Sequence, residues 1–66
     1  MRVQINGESR EFPPGTTVAR LVAELRLSGQ RIAVEVNEEL VPRSAHAERV
    51  LEDGDRVEVV HAIGGG

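Results

Sequence analysis

Arg2-Val3-Gln4-Ile5-Asn6-Gly7-Glu8-Ser9-Arg10-Glu11-Phe12-Pro13-Pro14-Gly15-Thr16-Thr17-Val18 is the stretch that decides the fold. From Arg2 to Asn6 polar and apolar residues alternate, the period of a half-buried strand. Asn6-Gly7 follows, and because both residue types tolerate positive φ, the pair predicts a tight hairpin turn. Glu8 to Phe12 returns as a second strand, poor in apolar side chains and therefore expected at a sheet edge. Pro13-Pro14-Gly15 ends it, since proline cannot donate to a ladder. Thr16 and Thr17 are each able to cap a helix that opens at Val18.

Beyond that stretch, Val18, Leu21, Val22 and Leu25 fall at i, i+3, i+4 and i+7, one apolar stripe of a helix. No Glu or Gln sits three residues after either threonine, so there is no capping box. The helix is expected to end near Leu27, with Gly29 as its stop. Ile32 to Asn37 is β-branched and mostly apolar, which suits a central strand. Asn37-Glu38-Glu39 reads as a turn, and Leu40-Val41 as a short strand ended by Pro42. Residues 43–51 read as a loop with one short helical turn, with Val50 and Leu51 tucked inward. Asp53-Gly54 is a further turn. Arg56 to Val60 alternates as the last strand, and from His61 onward the chain is expected to leave the sheet. The class is α+β, a mixed sheet of four or five strands covered by one main helix.

Size and composition bound the function. Sixty-six residues make one small domain, which buries only about 60% of the surface its unfolded chain exposes. No cysteine is present, and no His/Asp/Glu cluster has metal-ligand spacing, so no metal is expected. A deep catalytic pocket is hard to build at this size, and the chain is read as a substrate of other proteins, not an enzyme. The net charge is −3, and Phe12 is the sole aromatic residue, which argues against nucleic acid. No apolar run reaches the length of a membrane span, and Met1-Arg2-Val3 is no signal peptide, so a cytoplasmic location is expected. All eight basic residues are arginine, which leaves the N-terminus as the one amine.

The sequence closes on Ala62-Ile63-Gly64-Gly65-Gly66. Gly7, Gly15, Gly29 and Gly54 each have a backbone explanation at a turn or stop, whereas Gly64 to Gly66 have none in the fold. Glycine lacks Cβ, so such a tail is thin enough to thread a channel, and its carboxylate has no steric cover. The division expected is a folded domain over 1–61 and a flexible tail over 62–66. Five extended residues reach at most about 17 Å, enough to enter a partner's active site. Ordering the tail costs roughly 1–2 kcal/mol per residue, so affinity must come from a docking face on the domain. Val41, Val60, Ala62 and Ile63 are the candidates for that face. A plain linker or a cloning remnant is the competing account of the glycines. His61 and His46 are the only imidazoles, and neither stands beside a nucleophile. Glu52, Asp53 and Asp55 lack the further ligands of a calcium loop and are read as turn chemistry, with Glu38 and Glu39 adding to an acidic surface.

Taken together, Val3-Gln4-Ile5-Asn6-Gly7, Gly15-Thr16-Thr17-Val18, Leu21-Val22-Ala23-Glu24-Leu25, Ala33-Val34-Glu35-Val36-Asn37, Val41-Pro42-Arg43, the run Asp53 to Val60 and the ending Ala62 to Gly66 resemble the ubiquitin-like sulfur carriers. The resemblance covers the whole chain and is nearest to the sulfur carriers of thiamine biosynthesis. It implies a β-grasp fold with the first and last strands parallel at the centre. It also implies that an ATP-dependent adenylyltransferase of the ubiquitin-activating type activates the Gly66 carboxylate. The product would be a C-terminal thiocarboxylate, a 1-thioglycine, delivered to thiazole synthase, with Ile63, Gly64 and Gly65 entering the partner's active site. No cofactor is bound by the carrier itself; ATP belongs to the partner. The sulfur donor stays unnamed. Two alternatives remain: a carrier for molybdopterin or amino-acid biosynthesis, and a ubiquitin-like modifier or interaction module.

Overall fold

The computed structural model describes residues 1–61. Strands β1 (Arg2–Ile5) and β2 (Glu8–Glu11) pair antiparallel, with Ile5 opposite Glu8. Asn6 at φ 51° and Gly7 at φ 87° occupy the left-handed region that a two-residue hairpin turn requires. All four residues of β2 are exposed, and β2 is an edge of the sheet as expected. Its charged Glu8, Arg10 and Glu11 discourage pairing with a second molecule.

Helix α1 covers Val18–Glu24, and Thr17 is its N-cap, the hydroxyl accepting the Arg20 N–H at 3.2 Å. Thr16 does something else: its hydroxyl donates to the Pro13 carbonyl at 2.7 Å. The helix is shorter than its apolar stripe. Arg26 turns into the left-handed region at φ 61°, its N–H reaching Ala23 O while the Leu27 N–H reaches Val22 O, both at 3.0 Å. That pair of bonds is a Schellman closure, normally built around glycine. So the helix stops three residues before Leu27, and Gly29 (φ 80°) serves a later turn, not the stop expected of it.

Strands β3 (Ile32–Val36), β4 (Glu39–Val41) and β5 (Arg56–His61) complete a five-stranded sheet in the order β2-β1-β5-β3-β4. β5 lies parallel to β1 and antiparallel to β3, so the first and last strands are central neighbours. Asn37 and Glu38 both take positive φ in the β3–β4 turn, at 52° and 70°. The last strand is longer than predicted. His61 still pairs with Ile32, because β3 begins early enough to give it a partner.

One face of the sheet is dry. Val18, Leu21 and Val22 of α1 join Val3, Ile5, Val34, Val36, Val57 and Val59 in a single core, with Phe12, Val41 and Leu51 at its margins. Burying a side chain of this size stabilises by roughly 1.5–3 kcal/mol over leaving it exposed. The stretch after β4 holds the expected short helical turn, a 3₁₀ segment over Arg43–Ala45. Farther on, the Leu51 N–H donates to Thr16 O and the Val18 N–H to Arg49 O, both at 2.9 Å, around a Thr17–Val50 bridge. Backbone paired this way sends successive side chains to opposite sides. Leu51 is therefore buried as expected, whereas Val50 is 49% exposed instead of tucked inward.

Candidate functional site

Everything that could act through the chain's last residues is delivered by β5. Its inward side chains, Val57 and Val59, are locked in the core, while Arg56, Glu58, Val60 and His61 face outward or lie at the end. Registers place the outer face in rows. Leu40, Glu35 and Glu58 stand side by side across β4, β3 and β5, and Ala33 stands beside Val60 in the row nearer the end of β5. Leu40 is 65% exposed and Val60 54%, so this face offers two large aliphatic side chains with a pair of carboxylates between them. Glu35 and Glu58 stand directly opposite each other, and like charges so placed cost sheet stability, with Arg56 two residues along β5 on the same face.

The residues expected to form a docking face fare differently. Val60 is on the outer face. Val41 is 4% exposed and belongs to the core, opposite Val34, so its side chain does not reach the surface. The residue that takes the outward position is Leu40, which sequence reasoning did not single out. In a three-residue strand only one of Leu40 and Val41 can face out, and the choice depends on the register with β3. Ala62, Ile63, Gly64, Gly65 and Gly66 lie outside the described residues.

Two asparagines flank β5. On the β1 side, the Asn6 carboxamide bonds both backbone groups of Val59. On the β3 side, Asn37 accepts the Arg56 N–H at 3.0 Å through Oδ1 and donates to the Asp55 carboxylate at 2.9 Å. The acidic turn before β5 is occupied with the backbone: Asp53 accepts the Arg2 N–H at 2.7 Å and Asp55 the Glu52 N–H at 2.8 Å. Among the described residues no group of three or more His, Asp or Glu side chains is arranged to hold a metal. Both histidines have structural partners. His46 Nε2 lies 3.0 Å from the Val41 carbonyl, and His61 Nε2 the same distance from Gln30 Oε1. No helix of the described residues is long and apolar enough to cross a membrane.

Residues 3–66 match the model of the ThiS family, so the match runs from β1 through the final glycine. The chain belongs to the ThiS family. The sulfur carrier protein ThiS of Bacillus subtilis is 34% identical over 97% of this chain and 98% of its own length. A thiazole synthase of Paramagnetospirillum magneticum is 46% identical over all of this chain, which spans only 20% of that protein; a second such relative, from Magnetococcus marinus, is 39% identical with the same share. The chain thus covers about a fifth of the length of those two relatives. The crystal structure of the ThiS thiamine biosynthesis protein of Geobacter metallireducens superposes with a TM-score of 0.87 at 29% identity, covering both chains completely. The single helix on a mixed five-stranded sheet is the ThiS β-grasp fold, as the resemblance implied.

Proposed function

We propose that this member of the ThiS family is a sulfur carrier of thiamine biosynthesis, not a catalyst, and that Gly66 is the residue that carries the sulfur. The observation that supports this most is the family match reaching Gly66, on a domain whose central strand ends at His61, five residues earlier. A carboxylate is a poor electrophile because its charge is delocalised and oxide is a poor leaving group. Adenylation corrects this. The Gly66 carboxylate attacks the α-phosphorus of ATP and displaces pyrophosphate, giving an acyl-adenylate held by an adenylyltransferase of the ubiquitin-activating type. A persulfide or sulfide then attacks the acyl carbon and AMP departs; with a persulfide, cleavage of its S–S bond by a thiol leaves the thiocarboxylate.

The thiocarboxylate is ionised at neutral pH and soft, which suits delivery of sulfur to a thiazole synthase. Fusion of this kind of domain within the relatives named thiazole synthase supports that partner. Ile63, Gly64 and Gly65 enter the partner's active site, and the outer sheet face docks the domain outside it. Leu40 and Val60 supply the apolar contact there, and Glu35 and Glu58 select a basic rim. ATP is the partner's substrate, the carrier holds no cofactor of its own, and the location is the cytoplasm.

Tandem mass spectrometry of the protein from its native cells tests the assignment. The C-terminal fragment is expected to carry sulfur in place of one oxygen at Gly66. Intact mass alone does not suffice, since Met1 sulfoxide adds nearly the same increment. A plain carboxylate after incubation with ATP, activating enzyme and sulfur source would overturn the carrier function in favour of a modifier or interaction module.

A further inference from the structure

β1 stops short of the strand it supports. Its parallel pairing with β5 comprises Gln4 with Arg56 and Ile5 with Val57, and the Asn6 N–H adds a last backbone bond to Val57 O at 2.9 Å. At Gly7 the chain turns back into β2, so no β1 residue is left to face Val59. The Asn6 side chain fills that place. The Val59 N–H donates to its Oδ1 at 2.9 Å, and its Nδ2 donates to the Val59 carbonyl at 3.2 Å. Donor meets acceptor on both arms in only one orientation of the carboxamide. The amide thus acts as one further peptide unit of the parallel ladder, two residues before His61. The left-handed φ of Asn6 is what swings the side chain into line with the strand, and asparagine tolerates that conformation better than most residues.

We propose that Asn6 is a positioning residue for the carrier's reacting end: it fixes the point and direction at which β5 releases the residues leading to Gly66. The proposal rests on the carrier function proposed above. Only Val60 and His61 separate the clamp from the undescribed residues, and on the β1 side no strand accompanies them. Without the clamp, Val60 and His61 are held from the β3 side alone, through their pairing with Ala33 and Ile32, and the direction in which β5 ends is less firmly fixed. The docking face is left in place: Leu40 and Glu35 lie on β4 and β3, and Glu58 and Val60 of β5 keep their pairing with Glu35 and Ala33. The carrier is then bound as well as before but presents its carboxylate less often in the attacking position.

Asn37 supplies the internal control. It grips the same strand at Arg56, the end remote from the tail. Asn6→Gly and Asn37→Gly each keep the positive φ of their turn and remove only the carboxamide; Asn6→Asp keeps the acceptor for the Val59 N–H and loses the donor. Amide hydrogen exchange and steady-state adenylation by the activating enzyme are read on the full chain. In Asn6→Gly, exchange at Val59, whose N–H the Asn6 side chain holds, should rise about tenfold or more, the loss of that hydrogen bond. Exchange in the β1–β2 and β3–β4 ladders should change far less. The kcat for adenylation should fall with KM within about twofold of wild type, Asn6→Asp should lie between, and Asn37→Gly should keep kcat. A uniform rise in exchange across the sheet, an unchanged kcat in Asn6→Gly, or an equal loss in Asn37→Gly would overturn the proposal. A wild-type chain that is not adenylated at all would overturn the carrier function and this role with it. That outcome is distinguishable from a reactive wild type matched by a reactive Asn6→Gly.

Discussion

Glu58→Arg should make the domain more stable and a poorer partner at once. Glu58 stands directly beside Glu35 on the outer face, and the other neighbours in that row, Leu40 included, bring no cation. Directly opposed like charges cost a sheet a few tenths to about 1 kcal/mol, and an opposite pair returns a similar amount. Reversing one member removes a repulsion and adds an attraction, but both groups are exposed and partly screened. A net gain of about 0.5–1 kcal/mol follows, equivalent to roughly 2–8 °C in Tm for a domain of this size. Thermal denaturation by circular dichroism at about 20 mM and 500 mM salt reads it directly. The gain should be largest at low salt and shrink at high salt. On the docking side, the same substitution should weaken binding to the activating enzyme by tenfold or more, measured by competition with the unaltered chain. A Tm that falls, or a gain indifferent to salt, would refute the electrostatic reasoning. Unchanged affinity would remove Glu58 from the docking face.

Leu40→Ala should leave stability within about 0.5 kcal/mol while weakening docking, whereas Val41→Ala should cost about 1.5–3 kcal/mol; denaturant titration of the pair separates surface from core. Arg26→Gly relieves a non-glycine residue from the left-handed region, worth roughly 1–2 kcal/mol, against the added entropy of an unfolded glycine. A net stabilisation of about 0.5–1 kcal/mol is expected in the same titration. Leu21→Ala empties the centre of the core and should cost about 2–5 kcal/mol, leaving much of the protein unfolded at 37 °C by near-native hydrogen exchange. Gly65→Val should stop adenylation, read as loss of ATP–pyrophosphate exchange, with Tm unchanged.

The parts of the fold legible in the sequence are those written in local chemistry. Asn6-Gly7, the Thr17 cap, the alternation of β1 and β5 and the β-branched run of β3 each act within a few residues, and each is found in the fold. The misplacements came from effects that reach across the chain. The α1 stripe continues through Leu25, but Arg26 takes the left-handed turn that sequence rules assign to glycine, and so ends the helix early. Val50 and Leu51 look alike as residues; only their bridge to the segment before α1 decides that one faces water. The same holds for Leu40 and Val41, whose sides are set by pairing with β3. Asn6 shows the limit most plainly. Its turn role is visible in the dipeptide, whereas its grip on Val59 joins residues 53 positions apart and has no local signature.

The parallel placement of β1 beside β5 has a chemical consequence at the poles of the sheet. Parallel strands start at the same end, so Met1 and the end of β5 are separated by the length of the sheet, roughly 20 Å for a six-residue strand. The Met1 ammonium is held at its own pole, donating to the Phe12 carbonyl at 2.8 Å. With no lysine in the chain, this is the one amine that could intercept an activated acyl group. The acyl-adenylate proposed for Gly66 would be open to attack by an amine within reach, and the folded domain holds the Met1 amine at the pole away from the end of β5. A tag joined at Met1 should for the same reason leave the reacting end unobstructed.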